Sequence, residues 1–203
     1  MLEDTKNNLT NFAKRYFSNF KKNLDNFDFK ALETGADLIW KAYESSNTIF
    51  FAGNGGSAAT AAHMVNGFSK GVAGYKGDAS WSRFRAIALT ESVATFTAWA
   101  NDLSYEDIFS EQLKNLAQAG DVLVAISVSG NSSNIIKACE TAKSLGMKIF
   151  GLSGFAGGKL AKISDVALVV KDNDYGRIED IHLAIHHIIA EYFYKFLSKK
   201  YSK

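Results

Sequence analysis

The chain has 203 residues, 47% of them hydrophobic, and a net charge of +2: enough for one domain with a sizeable core, and too balanced to single out nucleic acid as a partner. One cysteine leaves no disulfide framework, so a reducing compartment is expected, and Cys139 itself is expected in the core. No stretch reaches the roughly 18 apolar residues of a membrane span, and residues 1–6 lack the apolar run of a secretory signal. A cytoplasmic protein without membrane partners is therefore expected.

Proline is absent, so glycine and polar clusters must mark the boundaries. Leu2, Leu9, Phe12, Phe17, Phe20 and Leu24 recur among lysines and asparagines, which predicts an amphipathic helix over 2–26. A second helix is predicted over 29–45, then a buried strand over 48–52 stopped by Gly53. An alanine-rich helix over 57–68 leads to a glycine-containing loop over 71–82 and a strand over 85–89. Short helices are expected at 93–100 and 105–117, a strand at 121–126, and a helix at 133–145 that stops at Gly146. A strand at 148–152, a glycine turn, a short helix at 159–163, a strand at 166–170 and a closing helix at 178–197 complete the order. Short apolar strands alternating with helices predict a five-stranded parallel sheet covered on both faces, a three-layer α/β/α sandwich. Ligands of such sheets sit beyond the carboxyl ends of the strands.

Two strands run into loops at that edge: Gly53-Asn54-Gly55-Gly56-Ser57, and Ser127-Val128-Ser129-Gly130-Asn131-Ser132. Each opens a helix, whose first N–H groups and dipole favour an anion, and glycine lets the backbone come close. Together they point to a phosphorylated small molecule held between them. Gly53 to Ala58 also satisfies a dinucleotide fingerprint, but the acidic residue about 20 positions on is replaced by a loop. Ser127 lacks the glycine of a hydrolase elbow, and no Gly-Lys-Ser/Thr of a phosphate-binding loop occurs.

These two loops, with Asn101-Asp102, Gly157-Gly158-Lys159 and Arg177-Ile178-Glu179-Asp180-Ile181-His182 followed by His187, resemble the sugar isomerase (SIS) domain. Within it they look most like bacterial phosphoheptose isomerases, and the resemblance runs along the whole chain. It implies conversion of sedoheptulose 7-phosphate to D-glycero-D-manno-heptose 7-phosphate for surface-polysaccharide heptose. It also implies a homotetramer, with residues 1–46 serving in assembly and residues 47–203 forming the sugar-phosphate core. The alternative is a non-catalytic sugar-phosphate adaptor or regulator on the same fold.

By the same resemblance Asn54, Gly55, Gly56, Ser57, Asn101 and Asp102 contact substrate, and Ser127, Val128, Ser129 and Ser132 hold its phosphate. Glu179, His187 and Asp102 are the catalytic candidates, and Glu179 also counts among the substrate contacts. His63, Glu179 and His187 are the candidate ligands of a zinc ion. One departure stands out: where the family carries a glutamate four residues after His63, this chain has Gly67, which supplies neither base nor ligand. Glu179, in place of the family's glutamine, is read as restoring the carboxylate. Eight residues separate it from His187, roughly 12 Å along a helix, so a shared site is expected to take them from two subunits. His182 and His186 are neighbours on one helical turn; His186 has no place in the family pattern and is expected to be incidental.

Overall fold

A computed structural model describes residues 2–74 and 80–201 of the chain, so part of the loop expected at 71–82 lies outside the described residues. Two helices lead, α1 (Leu2–Asp25) and α2 (Phe29–Glu44), followed by β1 (Thr48–Ala52), α3 (Gly56–Asn66), a π-helical turn (Gly67–Gly71) and β2 (Arg85–Ala88). Then come α4 (Val93–Asp102), α5 (Ser110–Leu116), β3 (Val122–Ser127), α6 (Ser133–Ser144), β4 (Lys148–Gly154), α7 (Gly158–Ile163), β5 (Val166–Val170) and α8 (Tyr175–Tyr201). The strands form one parallel sheet in the order β2-β1-β3-β4-β5, as the alternation of strands and helices predicts.

Successive strand residues face opposite sides, so Phe50 and Phe51 enter different cores. Phe51 packs with Ile39 of α2, Met64 of α3, and Ile181, Ile185 and Phe193 of α8. Phe50 packs with Leu113 of α5, Ile135 and Cys139 of α6, and Leu160 of α7. Cys139 is fully buried, and burial pushes its thiol up to about 12, the state of a core residue. Gly35 lets α2 press onto the sheet: a Cβ there would fall 2.3 Å from the Phe150 ring.

Three elements depart from expectation. The helix expected at 105–117 begins only at Ser110, because Ser104 Oγ accepts from the Glu106 N–H and donates to Asp107, stabilising a turn before it. α8 starts three residues early, at Tyr175, where Asp174 accepts the Arg177 N–H at 3.0 Å and caps it. α3 ends at Asn66, and the chain continues as a π turn in which Val72 N–H reaches the Gly67 carbonyl at 2.9 Å. Such turns concentrate at functional sites.

α1 is tied to the body at its C-terminal half. Tyr16 donates to Asp180 at 2.5 Å, Asn23 donates to Asp172, and Arg177 grips Asp172 through two bonds at 2.6 and 2.7 Å. The guanidinium holds the Asp172 carboxyl well below the usual carboxylate range.

Candidate active site

The two glycine-serine loops lie side by side, because β1 and β3 are neighbours in the sheet. In the first, Gly55 takes φ +53° at the head of α3, and a Cβ on Gly53 would meet the Ser57 carbonyl at 2.4 Å. Asn54 donates to the Asn134 side-chain oxygen at 2.9 Å, and Asn134 donates back to Asn54 at 2.9 Å. Tyr105 Oη donates to the same Asn54 oxygen at 3.0 Å. This reciprocal amide pair ties the first loop to the first turn of α6.

The second loop is built for close approach. Gly130 takes φ +65°, and a Cβ there would fall 2.1 Å from the Gly157 carbonyl oxygen, so the β4–α7 turn can rest against it. Asn131 fastens the two by accepting the Lys159 N–H at 3.0 Å. Ser129 Oγ accepts the Asn131 N–H at 3.2 Å, and the Val128 carbonyl accepts from Gly154 at 2.8 Å. Ser127 Oγ and Ser132 Oγ stand 3.1 Å apart. Ser132 is the N-cap residue of α6, yet its hydroxyl makes no capping bond and pairs with Ser127 instead, beside the helix's positive end.

α3 and α8 run alongside each other in the same direction, and the remaining candidates lie along their seam. At its start, the Glu179 carboxylate covers Gly56; a Cβ there would fall 2.4 Å from Glu179 Oε1. At its far end His63 Nε2 and His187 Nε2 are 3.1 Å apart. Glu179 lies inside α8, so the two proposed partners sit at opposite ends of one seam, and within a single chain His187 meets His63 instead of Glu179. Asn101 donates to Asp102 at 2.9 Å at the exposed end of α4. Neither residue is drawn to the histidines: the converging set among the described residues is His63, His186 and His187.

His186, expected from the family pattern to be incidental, lies in this set. One ring atom from each of these three histidines lies within 4.8 Å of the others, with His186 buried beneath the exposed His63 and His187. Both its ring nitrogens are buried without a hydrogen-bond partner, and burial, with His187 and His63 beside it, lowers its pKa to about 4, leaving it neutral. His182 points elsewhere: it donates through Nε2 to the Ser153 carbonyl at 3.3 Å, and burial lowers it to about 4 as well. The pair on one helical turn therefore shares no site.

Three imidazoles, one with unpartnered nitrogens, fit a divalent cation of the zinc type, for which His nitrogen is a common ligand. Glu179 lies outside that set. Tyr105, Asn134 and His186 escape sequence reasoning because each is recruited by a contact distant in sequence. Gly67 is the one local signal, a glycine at a helix position beside His63.

A family model described as SIS domain matches residues 15–154. A phosphoheptose isomerase of Helicobacter hepaticus is 39% identical over 168 residues, spanning 79% of this chain and 80% of that protein. The structure of a phosphoheptose isomerase from Neisseria gonorrhoeae superposes with a TM-score of 0.82 at 30% identity, covering 91% of this chain and 98% of that one. One from Francisella tularensis gives 0.84 at 27% identity, covering 92% and 98%.

Proposed function

We propose that this chain, which belongs to the phosphoheptose isomerase family of SIS-domain proteins, converts sedoheptulose 7-phosphate to D-glycero-D-manno-heptose 7-phosphate with the groups along α3, α6 and α8. It is an aldose–ketose isomerase acting on a sugar phosphate, and the product feeds surface-polysaccharide heptose. The observation that carries the reading is the Asn54–Asn134 pair, which joins the two loops into one cradle that a single phosphosugar spans.

Ser127, Ser129 and Ser132 receive the phosphate, aided by the start of α6. Asn54, Gly55, Gly56 and Ser57 line the sugar, and Asn101 and Asp102 approach it from α4. Glu179 takes the proton from C1 and returns it to C2, giving an enediol in between. Within one chain the two lie at opposite ends of the seam, so the site takes Glu179 and His187 from two subunits. His187 serves the matching transfer between the two oxygens, as an acid–base group or through a cation it would hold, and no atom or electron is gained or lost. Glu179 lies over the start of α3, against Gly56 of the first loop, which supports its role as base. His63 and His187 would hold a divalent cation, which supplies polarisation of the C1 and C2 oxygens.

We read the assembly as a homotetramer. Phe12, Phe17, Phe29 and Tyr192 are each at least 58% exposed, and α4 buries none of its residues within one chain. Sedimentation showing a monomer at micromolar concentration would contradict this. Among the described residues no helix is long and apolar enough to cross a membrane.

The test is incubation with sedoheptulose 7-phosphate in deuterated water, followed by NMR. Deuterium entering C1 or C2 together with aldose formation is expected; absence of exchange with this substrate overturns the reading.

A further inference from the structure

His63 and Gly67 are one helical turn apart, and Gly67 opens the π turn that follows α3. An ideal Cβ on Gly67 would lie 2.0 Å from His186 Nε2. No side chain at position 67 is compatible with the observed His186 ring, and any side chain placed there would point at that nitrogen. Glycine is thus the residue that lets α8 seat an imidazole against the chain next to His63. Gly67 costs helix stability, about 1 kcal/mol against alanine, so its presence inside this segment calls for a local reason.

The second observation is the state of His186. Its two nitrogens are buried and unpartnered, whereas leaving such groups unsatisfied costs on the order of 1–3 kcal/mol each. Its ring lies edge-on to His63, with centroids 4.8 Å apart, and 4.7 Å from His187. The other two rings already bring Nε2 atoms to 3.1 Å, with one lone pair or proton between them.

We propose that His186 is a metal ligand, the third nitrogen of a trihistidine centre with His63 and His187, made possible by the absence of a side chain at Gly67. The inference rests on the active-site reading above and deepens it. The ligand class follows from the donors: imidazole selects zinc and its transition-metal neighbours over magnesium or calcium, which prefer oxygen. Three imidazole ligands would cancel none of the ion's double charge, leaving it available to polarise oxygen. The carboxylate of Glu179, at the other end of the seam, is left free for proton transfer.

The experiment is zinc binding to the metal-stripped full chain, measured by competition with a chromophoric chelator. One zinc per chain and no competing magnesium uptake are expected. His186→Phe, which keeps the ring volume and removes both nitrogens, should weaken zinc at least about 100-fold, more than loss of an outer-shell partner. Combining His186→Ala with Gly67→Glu, which aims a carboxylate at the vacated place, should recover most of that loss. On the wild-type protein, ¹⁵N spectra of the histidine rings should show zinc moving the His63, His186 and His187 signals and leaving His182 in place. Unchanged affinity in a folded His186→Phe variant, an unmoved His186 signal, or no zinc uptake by the wild type overturns the proposal. Deuterium exchange into the sugar reads the isomerase assignment separately, so either can fail alone.

Discussion

Asn54, at the end of β1, and Asn134, in the first turn of α6, exchange two side-chain hydrogen bonds of 2.9 Å across 80 residues of sequence. Asn134 is 1% exposed, so the pair is shielded from water, and Tyr105 adds a third bond to the same Asn54 oxygen. Asn134→Ala leaves the Asn54 Nδ2 donor without its partner, Tyr105 still holding the oxygen, at a cost of about 1–3 kcal/mol. The expected result is a lower urea midpoint and a KM raised roughly tenfold with kcat less affected, since loop placement governs binding. Wild-type KM in this variant would separate the pair from the site.

The serine loop carries the phosphate in this reading. A hydrogen bond to a charged group contributes about 1.5–3 kcal/mol. Ser127→Ala with Ser129→Ala should therefore weaken sugar-phosphate binding at least about 100-fold, while the melting temperature stays near that of the parent. Calorimetric titration with the sugar phosphate decides it; unchanged affinity removes the loop from the anchor role.

Glu179→Gln restores an amide at the head of the seam and should still lower kcat by about 10²–10⁴, the usual contribution of a positioned base. KM should change little, because in this reading the phosphate is held by the serine loop before α6. His187→Ala should act likewise, and the double variant should lose little more than either alone, as groups serving one proton circuit do. Normal turnover in Glu179→Gln would move the base elsewhere, with Asp102 the next residue to replace.

The buried His182 gives a pH signature. Burial lowers its folded pKa to about 4 from the ordinary 6.5, so the folded state binds fewer protons than the unfolded one between those values. Its neutral form stabilises the fold fully above about pH 6.5, and that contribution is lost as the pH falls toward 4. His182→Gln should flatten the decline in denaturant midpoint across this window, leaving the steeper loss below pH 4 that belongs to carboxylates such as Asp172. An unaltered slope would show that another group titrates there.

Short-range chemistry made the two glycine-serine loops and their shared edge legible from the chain alone. Glycines before a helix, serines after a strand and five short apolar strands are local patterns, and a parallel sheet puts both loops on one edge whatever the rest does. Gly157-Gly158 and Gly130 are likewise visible in sequence, although their reason, a backbone approach so close that a Cβ on Gly130 would fall 2.1 Å from the Gly157 carbonyl oxygen, appears only when the loops are folded together. The histidine centre belongs to tertiary structure. Ile178, Ile181, Ile185 and Ile189 form the buried stripe of α8, and the rotation they impose carries His182 and His186 inward while His187 reaches the surface. Which nitrogen of α8 faces α3, and whether position 67 has room for it, depends on two helices more than 100 residues apart packing side by side. A spacing of residues along one chain contains no such distance; burial of the isoleucine stripe against the sheet sets it, and so decides that His186 stands where Gly67 has no side chain.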